Sequence, residues 1–116
     1  GRLRTVPTLT PVRATTPDYE GEVLVYRPPA GSLVRATAAG RVVATSMAPD
    51  GDHHLRLDHG NGLFTEYAGL SMSTIEDGQY VQKGQPLGLS HPWLGVRFTL
   101  IEDGQQRRPE IGELWL

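Results

Sequence analysis

The sequence predicts an all-β domain built on an antiparallel sheet, with very little helix. Three observations carry that expectation. The apolar residues fall in short runs closed by turn formers, in keeping with 14 glycines and 9 prolines among 116 residues. Asp-Gly and Asn-Gly pairs stand between such runs, where a tight hairpin needs positive φ. From Gly95 to Ile101, Val96, Phe98 and Leu100 alternate with Arg97, Thr99 and Ile101, a period of two whose first set is wholly apolar and should face a core.

Taken in order, residues 1–20 read as an extended arm, because Pro7, Pro11 and Pro17 stop both helix and central strand from propagating. A linker to an upstream domain is the favoured reading of the arm. A strap laid across the domain is the other, with Val6, Leu9 and Val12 available to dock. Residues 21–116 form the domain. Glu22 to Tyr26, Ser32 to Thr37 and Arg41 to Met47 are β-branched or aromatic runs that read as strands. Pro49-Asp50-Gly51-Asp52 turns the chain into a return strand over His53 to Asp58. His59-Gly60-Asn61-Gly62 turns it again into Leu63 to Ala68. The pattern loosens between Gly69 and Gln79, with a turn at Asp77-Gly78, and Lys83-Gly84-Gln85-Pro86 separates two short strands within Tyr80 to Leu89. Asp103-Gly104 reverses the alternating strand. Glu110 to Leu116 closes the domain with Ile111, Leu114, Trp115 and Leu116, Trp115 being a core candidate.

Composition excludes several function classes. A net charge of −2 with no run of like charge gives no pull toward nucleic acid or anionic lipid, and Lys83 is the only lysine. With no cysteine there is no disulfide framework, thiolate metal site or thiol nucleophile. No apolar stretch is long enough to span a membrane and no export signal stands at the start, so an exported protein would carry its signal outside this fragment.

Three stretches, in this order and spacing, resemble the LytM/lysostaphin-type zinc endopeptidases. Gly31-Ser32-Leu33-Val34-Arg35-Ala36 with Ala39-Gly40-Arg41-Val42-Val43 is similar to the family's G-t-p-V-x-A-x-x-x-G-x-V hairpin. Leu57-Asp58-His59-Gly60-Asn61-Gly62 running to Tyr67-Ala68-Gly69-Leu70 is similar to i-d-H-G-n-G … Y-x-H-L. Asp77-Gly78-Gln79-Tyr80-Val81-Gln82-Lys83-Gly84-Gln85-Pro86-Leu87-Gly88 matches the family's glycine-punctuated hairpin. The resemblance runs from about Gly21 to the C-terminus and implies that family's fold, an antiparallel sheet or sandwich folded over a groove.

It also implies where zinc and its catalytic companions should sit: an early His, an Asp four residues later, a late H-x-H, and the His of Y-x-H-L. Those positions fall here on Gly21, Val25, Gly95, Arg97 and Gly69. None offers a metal a lone pair, and Arg97 is a permanent cation. No His lies before His53, so a slip of one or two residues restores nothing. The expectation is a pseudoenzyme with no cofactor and no metal.

The remaining histidines do not assemble a substitute. His53 and His54 are consecutive in a strand and face opposite ways, while His59 is expected to hydrogen-bond inside its turn. His91 lies nearer the old groove. Arg97 reads equally as an anion anchor or as a charge paired with Glu66 or another acid. Tyr67 is placed at the groove edge by its family position. Trp93 and Leu94 could form a contact patch, although a loop folded back into the groove is favoured. The expected groove is therefore lined by Glu66, Tyr67, His91, Trp93, Leu94 and Arg97.

The resemblance implies a regulatory or binding domain of the bacterial envelope, periplasmic or otherwise extracytoplasmic. Its partner would be a peptidoglycan amidase or an envelope complex, with no nucleic acid and no membrane span. Non-catalytic recognition of peptidoglycan is the alternative. Hydrolysis through an atypical site ranks below it, as does a lipoyl-type carrier, because Lys83 stands in the wrong motif for modification.

Overall fold

The computed structural model describes residues 7–110 and Glu113. Ten strands follow one another with no helix among the described residues. They are β1 (Asp18–Glu20), β2 (Val23–Tyr26), β3 (Leu33–Arg35), β4 (Gly40–Met47), β5 (His53–Gly60), β6 (Leu63–Ser73), β7 (Tyr80–Val81), β8 (Pro86–Ser90), β9 (Val96–Glu102) and β10 (Gln105–Arg107). The main sheet runs β1-β2-β9-β6-β5-β4-β7, all antiparallel, while β10 pairs with β9, and β8 joins β3 to the far half of β6. The all-β antiparallel expectation holds.

Turn chemistry sets the meander. Asn61 and Gly62 both take positive φ, 55° and 79°, as the tight β5–β6 hairpin requires, and Asp103-Gly104 does the same between β9 and β10. Period-two alternation then fixes which face is buried. Val96, Phe98 and Leu100 of β9 join Leu24 and Tyr26 of β2, Leu55 and Leu57 of β5, and Leu63 and Tyr67 of β6 in one core. Val34 of β3 and Leu87 of β8 close that core from the other side. Tyr67 and Phe98 meet edge to face at 5.5 Å between ring centroids.

The strand bounds depart from the expectation in one informative place. β6 does not stop at Ala68 but bends at Gly69, where φ is +82°, and continues to Ser73. Its first half pairs with β5 and β9, its second with β8, so one strand belongs to both layers. Leu70, Ser71 and Met72 alternate as a strand would, but the glycine before them hides their continuity with the first half of β6.

The arm also differs from the favoured linker reading. Residues 7–13 lie across the domain as a strap. The N–H groups of Thr8 and Leu9 donate to Thr37 O at 3.0 and 3.3 Å, and Arg35 N donates to Pro11 O at 2.9 Å. Arg35 Nε donates to Thr10 O at 2.8 Å, and Thr10 and Val12 are buried. Farther along, β1 forms within the expected arm and pairs with β2. Val6, and Ile111, Leu114, Trp115 and Leu116 of the expected closing strand, lie outside the described residues. Glu113 is held by Arg107 through bonds of 2.8 and 3.0 Å, and neither it nor Glu110 is in a strand.

Candidate functional site

The face of the main sheet opposite the core is a shallow groove of about 390 Å³. Cross-strand register builds it in two rows. Val25, Arg97 and Ala68 are successive partners across β2, β9 and β6, and Ser46 and His54 are partners across β4 and β5. In the next row Thr99, Glu66, Arg56 and Ala44 are successive partners across β9, β6, β5 and β4. Because opposed residues share a face, Arg97, Glu66, Arg56 and His54 all project into one depression. Its floor is kept open by the small side chains Ala44, Ser46, Ala68 and Thr99.

Its charges are arranged in pairs. Arg97 Nη2 donates to Glu20 Oε1 at 3.3 Å across the sheet edge. Glu66 faces Arg56 instead, with 3.6 Å between Oε2 and Nη1, and Arg56 stacks over the Phe64 ring at 4.5 Å. Of the two partners weighed for Arg97, the structure therefore supplies another acid and not Glu66. Arg97 is not buried: its side chain is 57 % exposed, so its guanidinium stays available to solvent while paired. Asp52 closes one end, accepting a bond from Gly69 N at 2.6 Å and lying 3.0 Å from His54 Nε2.

Tyr67 lines the floor, but its side chain lies on the other face, 1 % exposed. Its hydroxyl accepts from Thr37 N at 3.1 Å and from Thr65 Oγ1 at 3.0 Å, and shares a bond of 3.0 Å with Thr37 Oγ1. Burial pushes the phenol above its ordinary pKa, partly offset by those bonds. Its groove-edge placement is corrected by strand parity, since Glu66 and Ala68 hold the groove side and Tyr67 between them cannot. His59 likewise reaches beyond its turn: Nδ1 lies 2.7 Å from Ala39 O and Nε2 2.7 Å from Thr65 Oγ1. Burial lowers its pKa despite the Ala39 bond.

His91, Trp93 and Leu94 do not line the groove. His91 is buried, its N–H donating to Gly69 O at 2.8 Å and its Nδ1 accepting from Trp93 N and Leu94 N at 3.4 Å each. Trp93 stands out from the loop, 81 % exposed, edge-on to the His91 ring at 4.8 Å. The folded-back loop favoured from sequence is thus corrected.

The five positions assigned by resemblance to zinc and its companions gather unevenly. Val25 is the direct partner of Arg97. A Cβ on Gly95 would lie 2.7 Å from Val25 Cγ1, and one on Gly69 would lie 2.1 Å from Gly95 O, so these four positions are contiguous. Gly21 sits in the β1–β2 turn at φ +62° with open space around it. The donor set does not fit zinc: an aliphatic side chain, a guanidinium and a glycine supply no lone pair. The backbone of Gly95 also closes over Gly69 and leaves no room for a side chain there, while a Cβ on Gly95 would press on the Val25 side chain. Among the described residues, no group of three or more His, Cys, Asp and Glu is placed to hold a metal ion.

Sequence reasoning missed Arg56 and His54 as groove residues, and Glu20 and Asp52 as the acids beside it that meet Arg97 and His54. Counting from the Asn61-Gly62 turn alone would set Glu66 against Leu57; a bulge between Asp58 and Gly60 shifts the register by one and brings Arg56 opposite Glu66. The Glu20–Arg97 pair spans 77 positions and leaves no local signal.

Comparison with known proteins agrees with this geometry. A sequence model of peptidase family M23 matches residues 20–97, well over half of the chain. The peptidoglycan DD-endopeptidase ShyA of Vibrio cholerae is 37 % identical over 62 residues, covering 53 % of this chain and 14 % of its own length. A candidate M23 peptidase from Pseudomonas aeruginosa superposes with a TM-score of 0.81 at 22 % identity, over 99 % of this chain and 54 % of that one. The SpoIIQ–SpoIIIAH pore forming complex contains a chain matching with a TM-score of 0.75 at 20 % identity, over 94 % and 91 %. The chain thus spans about one seventh of ShyA and about half of the Pseudomonas protein. With its strand order, its groove and the match across residues 20–97 in agreement, the chain belongs to peptidase family M23 as a LytM-type domain.

Proposed function

We propose that this chain is a non-catalytic M23 domain of the bacterial envelope that works by binding, activating or holding in place a peptidoglycan hydrolase such as an amidase. The observation that carries this reading is the chemistry of the contiguous cluster Val25, Gly69, Gly95 and Arg97, together with Gly21 in the β1–β2 turn. At every position where the family's active members need a lone pair, this chain has none. What it retains is an open groove with paired Arg and Glu side chains on a rigid sheet, and an exposed Trp93 on the adjacent loop. Rigid scaffold, small floor residues and an aromatic anchor suit recognition of a protein segment. An extracytoplasmic setting is part of the same reading, supported by the peptidoglycan substrate in the name of ShyA.

The test is activation of a peptidoglycan amidase from the same organism, measured as dye release from labelled sacculi. Wild-type chain raises the rate, while Arg97→Glu and Trp93→Ala lower the stimulation without changing the fold. Equal stimulation by both variants contradicts the groove and loop as the contact. A second reading, direct non-catalytic binding of peptidoglycan, is favoured by one observation: the half-exposed Arg97 guanidinium could pair with a stem-peptide carboxylate. Cosedimentation with purified sacculi, in the absence of any hydrolase, separates the two.

A further inference from the structure

The sheet ends at β4 along an edge that is only partly used. β7 pairs with Gly40 and Arg41 alone. Val42 N donates to Gln79 O at 2.8 Å and Val42 O accepts from Gly78 N at 2.7 Å, so the edge is occupied up to that residue. At the far end the chain turns away at Ala48, whose N–H donates to Asp52 O at 2.9 Å. Between these stops, Ala44 to Met47 pair with β5 on one side and Val43 forms a bulge. On the other side, Val43 to Met47 meet no strand among the described residues. A row of unpaired N–H and C=O groups is a template for another strand, and folded sheets blunt it with lysine, proline or charge. Residues Val42 to Met47 contain none of these. The bulge is the single blunting device, and Val43 and Met47 are 43 % and 63 % exposed.

We propose that a second copy of this chain pairs through this edge, antiparallel, with the two-fold axis at Thr45, joining two main sheets into one. The free window is symmetric about that residue. Self-pairing sets Val43 against Met47 of the second copy, Ala44 against Ser46, and Thr45 against Thr45, so apolar meets apolar and small meets small. The nearest charges flank the window at opposite ends, Arg41 before it and Asp50 after it, and antiparallel pairing brings Arg41 of one copy to the end occupied by Asp50 of the other. Both are exposed. The arrangement is isologous, so it closes at two copies and covers both open edges at once. An unrelated strand would satisfy the backbone groups but not this matched register and charge. The inference does not rest on the identity of what the groove binds, although Ala44, Thr45 and Ser46 line that groove as well.

Sedimentation velocity on the whole chain, from micromolar to about 1 mM, reads it directly. The wild type passes reversibly from monomer to dimer. Thr45→Lys and Thr45→Glu each set like charges against each other at the axis, where opposed Cβ atoms lie about 5 Å apart, and each raises the dissociation constant at least tenfold. Mixing the two variants one to one restores the dimer as a heterodimer. Thr45 is exposed, so circular dichroism should be unchanged in all of them. A wild type monomeric throughout, variants that dimerise like wild type, or a mixture that stays monomeric each overturns the proposal.

Discussion

Gly69→Ala should be among the most damaging single substitutions in the domain, although it adds only a methyl group. Two costs combine. Gly69 sits at φ +82°, where an L side chain costs about 1–2 kcal/mol. The new Cβ would also lie 2.1 Å from Gly95 O, a backbone atom that no rotamer change can move aside. Relief requires β6 to shift away from the start of β9. That shift weakens the bonds Gly69 makes through N to Asp52 at 2.6 Å and through O to His91 N at 2.8 Å. At about 0.5–1.5 kcal/mol per bond, the total comes to about 3–4 kcal/mol, a large share of the roughly 5–15 kcal/mol that holds a domain folded. Gly104→Ala is the control. Its φ is +82° as well, but a Cβ there meets nothing within 4 Å, so it should show the conformational cost alone. Urea unfolding of both variants isolates the steric part as a difference of about 2 kcal/mol, with unchanged slope. Equal losses in the two variants would refute the claim that the backbone closes over the position where the family carries a catalytic histidine.

Tyr67→Phe should cost about 1–2 kcal/mol in the same assay and leave groove binding intact, because it strands the buried Thr37 N–H while the Thr65 hydroxyl keeps its bond to His59 Nε2. A loss below about 0.5 kcal/mol contradicts that bonding scheme. Arg97→Ala should change stability by less than about 1 kcal/mol, since its pair with Glu20 is exposed; a larger loss would make Arg97 structural and weaken its assignment to binding. His59, whose burial lowers its pKa in the folded chain, contributes stability that is complete above its ordinary value of about 6.5. That contribution fades as pH falls below 6.5, because the unfolded chain binds the proton first. Denaturation midpoints at pH 7.5 and pH 5 should differ in that direction, and His59→Gln should flatten the difference.

How much of this was legible in the sequence depends on the range of each signal. The hairpins at Asp50-Gly51 and Asn61-Gly62 were readable because their turns demand positive φ locally, at Gly51 in the first and at both residues in the second. The core face of β9 was readable from the alternation of Val96, Phe98 and Leu100. Family position sets Tyr67 at the groove edge while a strand tyrosine more often packs, and the parity of Glu66 and Ala68 on either side decides for packing. The strap was legible only as the less favoured of two readings, with Val12 among its docking candidates; the burial of Thr10, a polar residue in a proline-rich run, shows only in the docking of Arg35 on Thr10 O. The Glu20–Arg97 pair could not be read either, because it depends on β2 lying between β1 and β9 in the sheet order. A loop folded back into the vacated groove would bury Trp93, whereas the structure leaves it exposed against His91, as suits large apolar residues that are awkward to bury in a short loop.

The most direct test of a binding domain without catalytic zinc is metal content measured alongside activity. Protein purified without chelator, incubated with excess zinc and passed through a desalting column, should retain far less than one zinc per chain and should leave cross-linked peptidoglycan uncut. One tightly held zinc per chain, together with release of muropeptides, would contradict the account.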